Sequence, residues 1–305
     1  MYKIGIIGAG KVGTSLGRYF SQLKTCQIVG YYSKTIESAE FAAKLTDSQV
    51  FPNLDSILQE SNFLMIATPD DVISEIWKAL AERKIKGKII CHCSGSLSSD
   101  IFLNAKNYGI FVCSLHPLMA IYDKTKSFVK LHSAFFTMEG DQVAVDSWKS
   151  ILEEAGNSYK ILSQKDKRAY HAASVFISNF VIALGNIAIK LLSSCDFTEK
   201  ETLQALSILA RENLTTFLKQ GSIDSLTGPV ERNDLGTLQK HLSFFQEKGE
   251  IEIEILYRLL SLELSNIAQE KNPNRNYQLL QNILKENERY EEYCTDISRS
   301  KKEGK

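Results

Sequence analysis

The sequence predicts an α/β protein: a parallel-sheet first half followed by an all-helical second half. Up to about residue 162 short apolar runs alternate with amphipathic segments, the mark of repeated βα units; after residue 163 the strand-like runs stop and long helical stretches take over. Length agrees, since 305 residues exceed the roughly 250 that one core usually holds. Two domains are therefore expected, over 1–163 and 164–294, with an unstructured tail at 295–305.

Strands are expected at 3–7, 27–32, 63–67, 88–93, 110–115, 134–138 and 158–161, each a short apolar run bounded by turn residues. Between them helical spacing is clearest at 11–23 and 72–83, with Asp70 as the N-cap of the latter. In the second half helices are expected at 166–193, 198–219, 234–247, 250–269 and 274–291, punctuated by Gly228-Pro229 and Pro273.

Lys plus Arg and Asp plus Glu both number 36, so the overall field gives no reason to expect nucleic acid or an acidic membrane as partner. Hydrophobic residues at 44% and aromatics at 10% are enough for packed cores. The opening MYKIGIIGAG lacks the basic and long apolar regions of a secretory signal. No stretch approaches about 20 uninterrupted apolar residues; the most apolar, 176–192, carries Asn179, Asn186 and Lys190, so no membrane span is expected and the protein reads as cytoplasmic. Cys26, Cys91, Cys93, Cys113, Cys195 and Cys294 are scattered without a C-x-x-C pair and read as reduced structural thiols. In Cys91-His92-Cys93 strand alternation sends the cysteines to one face and the histidine to the other, so no metal is expected.

Gly8-Ala9-Gly10-Lys11-Val12-Gly13 has the G-x-G-x-x-G spacing, directly after a strand and before an amphipathic helix. Gly8 allows a tight turn, Gly10 lets backbone approach a diphosphate, and Gly13 lets helix and strand pack closely, with the helix N-terminus facing the phosphates. This is the fingerprint of a Rossmann-type dinucleotide-binding domain; a glycine turn without ligand is the other reading. A site for NAD(H) usually has Asp or Glu at the end of the second strand. Here the chain reads Tyr31-Tyr32-Ser33-Lys34-Thr35, two hydroxyls and a cation with no carboxylate to repel a 2′-phosphate, which favours NADP(H) over a mere loop lysine. Thr68 and Pro69, at the end of the strand FLMIA, are expected on the ribose or nicotinamide side.

Two further strand ends deliver His92, in CHCSG, and His116, in SLHPL, to the expected cofactor rim; each reads as functional or as a structural histidine satisfied by backbone. On the first helix after residue 163, Lys167, Arg168, His171, Ser174, Ser178 and Asn179 fall within an arc of roughly 140°. This polar stripe faces either a cleft or open solvent. Residues 226–234, LTGPVERND, read by composition as a turn with Asp234 as an N-cap.

Together IGIIGAGKVG, HCSG, SLHPL, YHAAS with SNF, and LTGPVERND leading to His241 resemble a family of NADP-binding oxidoreductase-like proteins whose C-terminal half is a domain of unknown function of the DUF2520 type. The resemblance covers nearly the whole chain and extends to ketopantoate reductases, β-hydroxyacid dehydrogenases and pyrroline-5-carboxylate reductases. It implies a helical domain that forms a homodimer. In ketopantoate reductases and β-hydroxyacid dehydrogenases a lysine on the first helix of that domain, with a nearby asparagine, serves the substrate carbonyl; the corresponding face here offers His171 and Asn179. The LTGP segment of the family continues as Arg-Gly-Asp, whereas here Asn233 replaces the glycine and Arg232 and Asp234 are kept.

The resulting expectation is hydride transfer between NADPH and the carbonyl or imine carbon of a small acid, with a 2-oxo acid such as ketopantoate the first substrate to try. His171 is the expected proton donor, since an imidazole near its usual pKa of about 6.5 exchanges protons at neutral pH. Asn179 orients the substrate, His116 and Ser94 complete the pocket wall, Ser174 and Ser178 border it, and Arg232 pairs a substrate carboxylate. The alternative is a protein that binds NADP(H) as a sensor or scaffold without turnover.

Overall fold

The computed structural model describes residues 1–83 and 85–286. The chain forms two compact units, Met1–Ile182 and Ala183–Lys305. The first contains β1 (Tyr2–Ile7), α1 (Lys11–Phe20), β2 (Cys26–Tyr32), α2 (Ile36–Thr46), β3 (Gln49–Val50), α3 (Leu54–Glu60), β4 (Phe63–Ile66) and α4 (Asp70–Ala81). It continues with β5 (Ile89–His92), β6 (Phe111–Leu118), α5 (Ser127–Lys130), β7 (Phe135–Gly140), α6 (Gln142–Ala155), β8 (Tyr159–Ile161) and α7 (Lys167–Ile177). The first unit thus runs past the change of composition at residue 163, because Lys167 and Tyr170 of α7 bond to side chains and backbone at the ends of the sheet.

One sheet holds all eight strands in the order β3-β2-β1-β4-β5-β6-β7-β8. Alternate residues feed opposite faces: Ile4, Ile6, Phe63 and Met65 join the core under α1 and α6, while Ile7, Leu64 and Ile66 join the core under α3 and α4. Neighbouring strands are parallel, as expected, except β6 and β7, which pair antiparallel. Their link contains only the four-residue α5 and a 3-10 turn, too short for a parallel crossover helix. The two-residue β3 was not expected; it is too short to show a period.

Sequence placed Asp70 as the cap of α4, but the N-cap is Pro69 and the Asp70 side chain turns elsewhere. The expected helix 166–193 is two helices, α7 and α8 (Asn179–Ser193), broken at Ser178 with φ −111° and ψ −71°. Against expectation, Gln164–Ser193 is long and apolar enough, by length and composition alone, to cross a membrane. Its most apolar part, residues 176–192, is interrupted by Ser178, Asn179, Asn186 and Lys190.

In the second unit, α9 (Glu199–Ser225), α10 (Leu235–Lys248), α11 (Ile251–Lys271) and α12 (Gln278–Lys285) enclose Leu226, Val230, Leu238, Ala268, Tyr277, Leu280 and Leu284. Thr198 and Glu201 close a capping box on α9, and Gly221, at φ 80°, kinks it. The Asp234 cap of α10 forms as expected, its carboxylate accepting from the Thr237 amide at 3.0 Å. Asn233 takes φ 58°, a left-handed geometry that asparagine adopts more readily than most residues. A buried ion pair joins Arg258 to Glu254 at 2.8 Å. Part of the expected helix 274–291, the tail and Cys294 lie outside the described residues.

Trp148 of α6 is fully buried, its ring 5.3 Å from Phe20 and 5.7 Å from Phe63. Trp148→Ala should destabilise the first unit by about 3–5 kcal/mol, seen as a lower urea midpoint by far-UV circular dichroism; an unchanged midpoint would contradict this packing.

Candidate functional site

The glycine loop forms where β1 ends. Gly8 has φ +101°, and a Cβ there would lie 2.8 Å from the Ala67 carbonyl oxygen; at Gly13 it would lie 2.0 Å from the Gly8 oxygen. Gly10 is different: nothing stands within 4 Å of its missing Cβ, so its backbone faces open space. α1 begins at Lys11 with Gly10 as N-cap and no side chain capping it, leaving its first amides for an anion.

A groove of about 740 Å³ runs along this loop, lined by Gly8, Gly10, Ser33, Lys34, Thr68 and Pro69 among others. The Ser33 hydroxyl also accepts from the Ala9 amide at 3.3 Å, tying the end of β2 to the loop. The Thr68 hydroxyl is buried without a hydrogen-bond partner among the described residues. Open backbone at Gly10, uncapped amides, a cation at Lys34 and an orphaned hydroxyl fit a dinucleotide with an extra phosphate. Of the other residues expected here, Lys11, Val12 and Gly13 form the start of α1 rather than the groove wall, and the Thr35 hydroxyl donates to Ser38 at the start of α2.

Beyond Pro69 the ends of β4, β5 and β6 meet α7. Asp70 Oδ2 accepts from the hydroxyls of Ser94 at 2.7 Å and Ser96 at 2.8 Å. Ser94 Oγ in turn accepts from the amides of Ser96 at 3.2 Å and Leu97 at 3.0 Å. Its one proton and both lone pairs are used, so Ser94 braces the turn after β5 instead of meeting a substrate, which corrects its expected place in the catalytic set.

His92 also differs from expectation. It is completely buried, packed on Phe102, and absent from the groove wall. Its Nδ1 accepts from the Ser94 amide and its Nε2 meets the Ser98 carbonyl, both at 3.2 Å, so it pins the same turn. Burial pushes its pKa from 6.5 down to about 4. Burial also pushes the Cys93 thiol up to about 12 and the Cys91 thiol well above its usual range, leaving both as neutral core groups.

α7 brings further polar side chains to these strand ends. Lys167 is 1% exposed and its Nζ donates to the Ser94 carbonyl at 3.0 Å. Burial pulls its pKa down, opposed first by the carboxylate of Glu139, which is itself buried and bonded to Ser99. Tyr170 Oη lies 2.8 Å from His116 Nδ1. Burial, then the Lys167 and His171 charges, push the His116 pKa down to about 4. Across the gap His171 Nδ1 is buried with no hydrogen-bond partner.

These two imidazoles converge on Gly95. A Cβ there would sit 2.7 Å from His171 Nδ1 and 2.9 Å from His116 Nε2, so only glycine leaves the space between them open. Ser174 and Ser178 donate back to the Tyr170 and Ser174 carbonyls, and Asn179 is exposed at the start of α8. The polar stripe is therefore split: Lys167 and His171 face inward, while Arg168, Ser178 and Asn179 face outward. Arg232 belongs to the second unit, where its backbone closes the 228–234 turn through the Gly228 carbonyl.

Lys167 in its inward position, Tyr170, Asp70 and Gly95 were missed as site residues. The spacing of Lys167 and His171, one helical turn apart, was the available signal.

Residues 1–117 match the family described as a Rossmann-like domain, and residues 134–264 match the domain of unknown function DUF2520. The chain is a Rossmann-like protein with a DUF2520 domain. In this Rossmann-like DUF2520 protein the glycine loop, Ser94, Gly95 and His116 come from the first family's segment, and Lys167, Tyr170 and His171 from the second. The fold resembles that of protein TM1727 from Thermotoga maritima, with 24% identity and TM-score 0.69, covering 88% of this chain and 99% of that one. It also resembles an imine reductase from Myxococcus stipitatus in complex with NADP+, with 15% identity and TM-score 0.61, covering 88% and 93%. Glucose-6-phosphate 3-dehydrogenase of Bacillus subtilis is 34% identical over 70 residues, 23% of this chain; the match spans only 20% of that protein's length.

Burial on folding pushes the pKa of both His92 and His116 from the usual 6.5 down to about 4. Between those values the unfolded state binds more protons, so stability rises with pH through this window and is lost on acidification from about 6.5 to 4. Urea midpoints measured across that range should fall towards the acid end, and His92→Gln should flatten the fall. A flat profile in the parent protein would contradict the burial of these rings as neutral groups.

Proposed function

We propose that this protein transfers hydride between NADP(H) and the carbonyl or imine carbon of a small acid. The observation that carries the reading is a juxtaposition within the first unit: the groove along Gly10 is lined as far as Pro69, and the next residue, Asp70, bonds to Ser94, the neighbour of Gly95, where two imidazole nitrogens converge. The nicotinamide, when bound, supplies or takes up the hydride at its C4 carbon. The amides opening α1 hold the diphosphate, and Ser33 and Lys34 receive the 2′-phosphate. His171 gives a proton to the substrate oxygen or nitrogen as hydride reaches the adjacent carbon, so the reduced product is neutral at that centre. His116 stays uncharged beside it. A 2-oxo acid such as ketopantoate is the first candidate substrate.

The same reading includes a homodimer. Apolar residues exposed along α9, among them Leu203, Ile208, Leu209 and Leu218, support a second copy as their cover. Unbonded thiols at Cys91 and Cys113, paired in register on adjacent strands, suit a reducing cytoplasm.

Fluorescence titration should show NADPH binding about tenfold or more tightly than NADH, with the preference lost in Lys34→Glu. Equal or tighter NADH binding removes the cofactor assignment. With a panel of oxo acids and imines, NADPH oxidation by the parent protein should fall about 100-fold or more in His171→Ala while NADPH affinity holds. Undiminished turnover in that variant rules out His171 as the acid, and a panel without any turnover favours binding alone.

A further inference from the structure

Tyr170 is bonded to a ring that the proposed chemistry leaves passive, and its position is over-determined. His116 and Thr137 are register partners on β6 and β7, and the Tyr170 ring comes down from α7 edge-on to His116, with centroids 5.7 Å apart. Its hydroxyl oxygen meets His116 Nδ1 at 2.8 Å. Burial raises the Tyr170 pKa, which keeps the phenol protonated. A phenol O–H is the better donor and an imidazole nitrogen the better acceptor, so the stronger form of this bond has Oη donating to Nδ1. A neutral imidazole that accepts at Nδ1 must carry its single proton at Nε2. That nitrogen is the one aimed at the gap over Gly95.

We propose that Tyr170 is a positioning residue that locks His116 in its Nε2–H form, so that His116 presents a hydrogen-bond donor to the substrate oxygen or nitrogen held over Gly95. This rests on the hydride-transfer reading. It divides the work of the two imidazoles: His116 polarises the C=O or C=N bond by donating without releasing its proton, and His171 delivers the proton that is consumed. The charged and titratable groups facing His116 are Lys167, Tyr170 and His171 from α7, Asp70 from α4 and His92 from β5. Without the phenol, Nδ1 and Nε2 compete for the proton, and in the wrong form a lone pair at Nε2 repels the substrate heteroatom.

Two-bond ¹H–¹⁵N spectra of histidine-labelled full-length protein at pH 7 read the tautomer directly, with the His116 signals assigned by their loss in His116→Gln. The parent protein should show an unprotonated Nδ1 and a protonated Nε2 on His116. Tyr170→Phe should give a mixture of forms, a kcat lower by about tenfold or more, and NADPH affinity within about twofold. Protonated Nδ1 in the parent protein overturns the proposal, as does a Tyr170→Phe variant with the parent tautomer and parent kcat. Absence of turnover in the parent protein defeats hydride transfer instead, because the spectrum of the resting protein is read independently of activity.

Discussion

A buried ammonium holds this site together. Lys167 is sealed from solvent with its Nζ on the Ser94 carbonyl, and an unpaired charge in such a place costs several kcal/mol unless neighbours answer it. Glu139 from β7 and Asp70 from α4 supply the opposing charge, and both are themselves tied to serines of the segment after β5. The contact fixes the first turn of α7 against the end of the sheet. One turn later the same helix sets Tyr170 beside His116 and His171 beside Gly95, so the two imidazoles inherit their geometry from a bond in which neither takes part.

Missing side chains matter as much as present ones. Gly8 and Gly13 let loop, strand and helix approach to distances a Cβ would forbid, while Gly10 leaves its backbone facing open space. Gly95 repeats the device after β5, where the added methyl would strike two imidazoles. The polar groups around it are spent in one direction: Ser94, Ser96 and His92 satisfy one another and Asp70, which leaves His116 Nε2 and His171 Nδ1 as the nitrogens directed at the gap.

What could be read in the sequence was local. The glycine spacing, the strands leading to Thr68 and Ser94 and carrying His116, the Asp234 cap and the switch to helices depend on residues a few positions apart, and each is present in the structure. The antiparallel β7 and the break at Ser178 were hidden because an apolar run does not declare its direction and a helical period does not declare a bend. At the site, His92 and His116 looked alike, each at a strand end. Only packing separates them: Phe102 and the Ser98 carbonyl enclose the first, whereas the second meets a tyrosine 54 residues away. Lys167 was visible as a polar residue on a helix, but its inward direction depends on Ser94, 73 positions earlier.

The most direct test of this account is a crystal structure of the protein with NADPH. The account places the diphosphate on the amides of Gly10 and Lys11, the 2′-phosphate at Ser33 and Lys34, and the nicotinamide C4 beside Gly95, within about 5 Å of the space between His116 and His171. A nicotinamide ring bound away from Gly95, or a nucleotide that leaves the glycine loop empty, would contradict it.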